Sequence, residues 1–317
     1  MIISILGIII GGAFVIYGAD RLTEGSVALA RRLKMSEMVI GLTIVAFGTS
    51  MPEFVISLVS GIKGSADLAV GNIVGSNIFN TLMIVGMSAL VCPITIARAT
   101  IKKDIPFTVI ASIVMIILCY RNGWSDTTGS QLTVIDGCIL LFMFVAFMFI
   151  TLKSNHNTPQ NTDEIKKTIT LTNTVIYIIE GLILLIGGSE LFVNSAKEIA
   201  LSLKVSESVI GLTIVACGTS LPELATSVVA AKKGRSELAI GNVIGSNVFN
   251  ILWILGFTSL ICPLNIQGIN ITDFIVMLGS ILLVWLFAFT SYKIKRWEGA
   301  VLVTIFLVYL IHLIIKA

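Results

Sequence analysis

Residues 48–54 read GTSMPEF and lie inside the apolar run VIGLTIVAFGTSMPEFVISLVSGI, residues 39–62. A run of this length can cross a bilayer, which takes roughly 20 apolar residues. Yet it places a helix breaker and a carboxylate near its centre, where an ionisable side chain costs about 2.5 kcal/mol or more. The pattern returns at residues 218–224 as GTSLPEL. A cost met twice in the same form points to a working group and not to a flaw in the helix.

The rest of the chain supports a membrane setting. It is 56% hydrophobic and only 12% charged, with a mean hydropathy of +1.00. Soluble domains carry about 25% charged residues. This composition excludes a soluble enzyme or a nucleic-acid-binding domain. About ten segments qualify as spans, near 2–18, 38–62, 68–91, 105–120, 131–152, 172–190, 208–231, 238–262, 273–290 and 297–315. The first has no positively charged leader region and reads as a retained helix. With the N-terminus outside, 16 of the 21 Lys and Arg fall in inner loops and 5 (Lys63, Arg121, Lys197, Lys204 and Lys316) fall outside. That bias places both termini outside and the linker in the cytoplasm. The 5 cysteines are scattered, with no CxxC or CxxH spacing, and imply neither a disulfide framework nor a zinc site.

Residues 36–93 align with 206–263 at a constant offset of 170, and 34 of the 58 positions are identical. The shared positions include Pro, Glu, Asn and Ser, which shared hydrophobicity cannot explain, so the chain carries a duplication. The expected organisation is a first five-helix repeat (1–152), a polar linker (153–171) and a second five-helix repeat (172–317). Five is odd, so the second repeat enters from the opposite side. The expected fold is an all-α membrane protein of ten transmembrane helices in two inverted repeats, with helices 2 and 7 broken. Inversion brings Glu53 and Glu223 toward each other near the midplane.

Pro52 has no N–H and clashes with the carbonyl of Gly48. It suits the first turn of a second half-helix after a Ser or Thr cap. The span is therefore expected to unwind around Gly48, Thr49 and Ser50, freeing carbonyls near Ala46 and Phe47. The same is expected at Gly218, Thr219, Ser220 and Pro222, with freed carbonyls near Ala216 and Cys217. The next span carries Asn72, Ser76 and Asn80 on one helix face, repeated as Asn242, Ser246 and Asn250. Gly71, Gly75, Gly241 and Gly245 let a neighbouring backbone approach. Asn77 and Asn247 lie off the stripe, positioned to bond the broken helix.

The donors gathered here are all oxygen: carboxylates, hydroxyls, amide carbonyls and backbone carbonyls, with no His nearby. Such a set suits calcium or sodium and not zinc or copper. Two carboxylates carry the charge that one calcium ion neutralises, and without a cation they cannot both stay ionised in low dielectric. Thr43, Thr213, Ser57 and Ser227 read as packing residues. Glu180 reads as a residue snorkelling to the inner interface, Asp67 and Glu237 as caps, and Asp104, Asp136 and Asp273 as solvated span ends. His156, in the linker, and His312 are remote from the centre.

With G-T-S-M/L-P-E and G-N-x-x-G-S-N-x-F-N at matched spacing in both halves, the chain resembles the calcium/cation antiporter superfamily, in particular its prokaryotic sodium/calcium exchangers. The resemblance covers the whole chain. It implies alternating access, with about three sodium ions exchanged for one calcium, no enzymatic activity and no cofactor. It further implies a calcium site at Glu53 and Glu223 with the backbone of Thr49 and Thr219. Ser50, Ser220, Ser76 and Ser246, with the carbonyls of Ala46 and Ala216, are the implied sodium ligands. Asn80 and Asn250 match the family's central polar positions; some relatives carry an acid at the latter. The partners implied are Ca2+, Na+ and the lipid bilayer of the plasma (inner) membrane, with no nucleic acid; the oligomeric state stays open, a monomer being compatible. Calcium/proton exchange is the alternative within this class, and a calcium-permeable channel the alternative outside it.

Overall fold

A computed structural model of the chain describes residues 2–120, 130–154, 170–203, 216–266 and 269–316. Arg121, His156, Lys166, Lys167, Lys204 and Thr213, together with most of the linker, lie outside the described residues. The described chain is helical throughout apart from two short strand pairs. In order, the helices are α1 (Ile2–Leu33), α2 (Glu37–Thr49), α3 (Met51–Ile62), α4 (Ala66–Val91), α5 (Ile105–Cys119) and α6 (Val134–Ser154). They continue as α7 (Leu171–Ser202), α8 (Ala216–Thr219), α9 (Leu221–Lys232), α10 (Ser236–Ile261), α11 (Ile271–Ser291) and α12 (Arg296–Lys316).

Among the described residues, 7 helices are long and apolar enough to cross a membrane, or 8 counting α2 and α3 as one bent span. The sequence pointed to ten. The difference lies at 105–120, where α5 has 15 residues, and at 208–231, where only α8 and the 12-residue α9 are described. The chain is an all-α, multi-pass membrane protein.

Burial sorts the spans into two layers. The apolar windows of α4 and α10 are 78% and 94% buried, whereas those of α1, α6, α7, α11 and α12 are 22–33% buried. The two centre helices are the ones that carry the Asn/Ser stripe. Their surroundings supply the protein partners that polar atoms need where lipid offers none. Around them the outer helices show apolar faces outward, including Phe142, Phe149, Ile183 and Val308.

α1 and α7, 32 residues each, extend well beyond the 2–18 and 172–190 segments expected. They cross in backbone contact: a Cβ on Gly11 would meet the Gly188 carbonyl at 2.7 Å, and one on Gly181 would meet the Leu22 nitrogen at 2.7 Å. Only glycine allows this approach. Arg21, expected in a loop, lies within α1, hydrogen-bonded to Tyr17 and over the Tyr177 ring.

The turns repeat as faithfully as the spans. α3 and α9 both end in Lys-Gly, with Gly64 and Gly234 at φ 78° and 73°. Each gives a left-handed cap in which the following nitrogen reaches back to a carbonyl, Ser65 to Ser60 at 2.8 Å and Arg235 to Ala230 at 2.8 Å. α4 and α10 stop at Cys92 and Cys262, both extended because a proline follows. The chain then forms β1 (Ile94–Thr95) and β3 (Leu264–Ile266), which pair antiparallel with β4 (Lys293–Ile294) and β2 (Ser130–Leu132).

Candidate functional site

α2 and α3 meet at Ser50, which has φ −83° and ψ 8°, and their axes bend by 49°. The break is one residue wide, not an unwound stretch. Pro52 takes an early position of α3, where a missing N–H costs nothing. Ser50 sits at the N-cap position, but its hydroxyl makes no cap bond. It donates instead to Glu223 Oε1, 2.9 Å away on α9.

The second copy returns the gesture. Ser220, at φ −89° and ψ 11°, leaves its own helix uncapped and donates to Glu53 Oε1 at 2.8 Å. Each glutamate is thus held by the serine that breaks the other copy's helix. Both acids are buried, at 0% and 1% exposed, and neither Oε2 has a hydrogen-bond partner among the described residues. Glu53 also lies within range of the Glu223 charge.

The centre helices complete the setting. Ser76 and Ser246 approach the same Oε1 atoms at 3.5 Å. Asn72 donates to the Glu53 carbonyl at 3.3 Å and to Ser57 at 3.0 Å; Asn242 does the same for Glu223 and Ser227 at 3.3 and 3.0 Å. Ser57 and Ser227, expected to pack, therefore anchor the stripe that carries the broken helices. Thr49 hydroxyl reaches Val45 O at 3.1 Å and Asn242 Oδ1 at 3.2 Å, and Thr219 hydrogen-bonds Glu53. The Ala46 carbonyl is not freed, since it accepts from Ser50 N at 3.0 Å and lies 3.5 Å from the Thr49 hydroxyl. Ala216 opens α8.

Asn80 and Asn250 are both 0% exposed and sit in π-helical turns, Phe79–Ile84 and Phe249–Ile254. Such turns recur at functional sites, and nothing in the residue pattern announces them. Among the described residues, Asn80 has neither amide atom partnered, and Asn250 has its Oδ1 unpartnered. Asn77 and Asn247 do not bond the broken helices. Asn77 accepts from Asn250 at 3.2 Å, and Asn247 donates to Thr81 at 2.8 Å. Gly241 and Gly245 pack on Met38, Leu42 and Ala46 as expected, whereas no described residue approaches within 4 Å of a Cβ on Gly71 or Gly75.

Two residues set aside by sequence, Asp136 and Asp273, differ from expectation. Glu180, read as snorkelling, has a side chain 37% exposed and faces Arg21 at 3.9 Å. Asp136 is buried, not solvated, and accepts from Thr133 N and Oγ1 at 2.8 and 2.7 Å. Asp273 forms a capping box with Asn270 and accepts from Tyr309 at 2.8 Å. Thr43 does spend its hydroxyl on its own helix, at Val39 O.

Buried oxygens without partners among the described residues, gathered around two carboxylates, are the hard donor type that oxygen-liganded cations take. The chain matches the family described as "Sodium/calcium exchanger protein" over residues 3–153 and 173–315. It belongs to that family. It is 29% identical to "Sodium/calcium exchanger MaX1" of Methanosarcina acetivorans over 98% of both chains. It is 35% identical to "Inner membrane protein YrbG" of Escherichia coli, covering 88% of this chain and 86% of the other. Among solved structures, the sodium-calcium exchanger NCX_Mj soaked with zero Na+ and Ca2+ superposes with a TM-score of 0.84 at 33% identity. That match covers 98% of this chain and 99% of the other. The family and this likeness together support cation/calcium exchange as the activity.

Proposed function

We propose that the protein is a sodium/calcium antiporter working by alternating access, with its ion sites between Glu53 and Glu223. The crossed serine–glutamate pair carries this reading. Ser50 and Ser220 each hold one carboxylate oxygen of the opposite copy, which leaves Oε2 of both acids for a cation. Two carboxylates balance one calcium ion. When calcium leaves, sodium ions replace its charge beside the same oxygens, with Ser76, Ser246 and the Ala46 and Ala216 carbonyls as flanking ligands. Thr49 and Thr219 contribute backbone oxygen to calcium, and Asn80 and Asn250 close the centre. With about three sodium ions per calcium, each cycle moves one net charge.

The chain divides into repeats 1–152 and 172–317, inverted about an axis in the membrane plane, with residues 153–171 as the linker. The excess of Lys and Arg in the loops assigned to the inside supports both termini outside and the linker inside, the arrangement that ten spans require. The paired hydrogen bonds at a constant offset of 170 support that inversion. Because each copy supplies half of one site, displacement of α1 and α7 across the centre exposes the same ions first to one side and then to the other.

The test is calcium uptake into vesicles preloaded with sodium. Uptake should follow the sodium gradient and should be abolished in Glu53→Ala and in Glu223→Ala. Uptake driven by a proton gradient and indifferent to sodium would overturn sodium coupling. Full transport by either variant would remove the site.

A further inference from the structure

The two repeats end their half-helices alike and then use the terminal lysines differently. Lys63 and Lys233 are equivalent at the offset of 170, and each precedes the left-handed glycine that closes its helix. Their backbones match, at φ −78°, ψ 1° and φ −81°, ψ 4°. Their nitrogens donate to Val59 O and Val229 O, both at 3.0 Å. Lys233 nevertheless holds two acids of α1, Asp20 at 2.6 Å and Glu24 at 3.2 Å. Lys63 is exposed and makes no ion pair among the described residues.

The same offset relates α1 to α7. A Cβ on Gly11 would meet the Gly188 carbonyl at 2.7 Å, and one on its counterpart Gly181 would meet the Gly18 carbonyl at 2.9 Å. On that offset Asp20 corresponds to Glu190 and Glu24 to Asn194. Glu190 is exposed, and it too has no ion pair among the described residues. The counterpart of the Lys233–Asp20 pair is thus present in the sequence and not made in the structure. Because the two lysines are held alike, the difference lies in where α1 and α7 stand. α1 packs along α9, and α7 has no comparable packing on α3 among the described residues. The glycine crossing joins α1 to α7, and Ser4 Oγ donates to Glu198 Oε2 at 2.8 Å, so the two helices shift together.

We infer that Lys63 and Glu190 form an ion pair that closes the outer face in the opposite state of the carrier, made as Lys233 releases Asp20 and Glu24. The pair rests on the alternating-access reading above, in which inverted repeats exchange conformations between states. One joined pair of helices cannot stand against both half-helices in the same way, so the two locks exclude each other. They are also unequal. Lys233 meets two carboxylates, whereas Lys63 would gain one carboxylate and the neutral Asn194. That difference in charge favours the state described here, with the Lys233 side closed.

The test uses Lys63→Glu, Glu190→Lys, the double swap and Asn194→Glu, all in the full chain without its five native cysteines. Calcium uptake into sodium-loaded vesicles is measured alongside the spacing of spin labels on Ile62→Cys and Leu191→Cys, by pulsed electron paramagnetic resonance. Without the charge changes, two spacings should appear, the shorter one belonging to the closed outer face. Each single charge reversal sets like charges together. It should deplete the shorter spacing and lower the maximal uptake rate about fivefold, with the melting temperature unchanged. The double swap should restore spacing and rate, which two independent surface charges would not do. Asn194→Glu should enrich the shorter spacing. Unaltered spacing and rate in Lys63→Glu, or a swap no better than either single variant, would overturn the inference. A single spacing that no ion alters overturns alternating access and the ion pair with it. Uptake driven by protons and indifferent to sodium removes sodium coupling alone, and the spacings then decide on Lys63 and Glu190.

Discussion

Ser50 and Ser220 each occupy the N-cap position of a half-helix and decline to cap it. A cap is typically worth about 1 kcal/mol, so spending the hydroxyl elsewhere needs a larger return. A hydrogen bond to an ionised group contributes about 1.5–3 kcal/mol. Ser50→Ala and Ser220→Ala should therefore each weaken calcium binding about 10- to 100-fold by calorimetric titration, with helix content unchanged by circular dichroism. Thr43→Val is the control: among the described residues its hydroxyl bonds Val39 O on its own helix, and the variant should bind calcium as wild type does. The pairing partner of each serine could not be read from sequence, since Ser50 and Glu53 are near neighbours there. Only inversion, inferred from the span count, sets Ser50 against Glu223. The amides were legible as a stripe, but which of them pair was not. That depends on π-helical turns and on Thr81, a position where the repeat differs.

At the scale of elements, duplicated features were the most readable. The Lys-Gly turns, the Cys-Pro stops and the proline in the first turn after each break all follow from local backbone chemistry. What escaped was length. Sequence placed the end of the first span near residue 18 and Arg21, with Asp20 and Glu24 beside it, beyond that end. In the structure these charges are absorbed along α1: Arg21 by Tyr17, Tyr177 and Glu180, and the two acids by Lys233 at 2.6 and 3.2 Å. The crossing of α1 and α7 can be tested by contrasting adjacent glycines. Gly188→Leu drives a side chain into Phe14, Val15 and the Gly11 carbonyl, an overpacking worth about 1–3 kcal/mol. At Gly187 an added Cβ meets no described atom within 4 Å, so Gly187→Leu starts into open space. Thermal melts should show a clear loss for the first and little change for the second.

Across the whole molecule, α1 is tied to the end of α9 by Lys233, with side chains about one-third to one-half exposed. Pairs this open contribute about 0–1 kcal/mol and are screened by salt. Lys233→Ala should lower the melting temperature slightly in dilute buffer and by a smaller margin at 1 M salt, where the Debye length falls to about 3 Å. A covalent tie is a stronger probe. Asp20→Cys with Lys233→Cys, in a background without the five native cysteines, should stop calcium uptake on oxidation and recover it on reduction. Uptake that continues through the oxidised tie would show that α1 does not need to leave α9 during transport.

The crossed serine–glutamate pair has one more consequence. Because each carboxylate is gripped from the opposite repeat, the gap between Oε2 of Glu53 and Oε2 of Glu223 is set by how far apart the repeats stand. The site is in effect a caliper whose jaws belong to different bodies. An ion of a given radius fits one opening of the jaws, and a larger or smaller one must pry them wider or leave them slack, bending the Ser50 and Ser220 bonds in either case. On the proposed reading of the site, discrimination among divalent ions depends on the spacing of the repeats and not on the identity of any single ligand. Substitutions far from the carboxylates, wherever they shift one repeat against the other, should retune which ion is preferred.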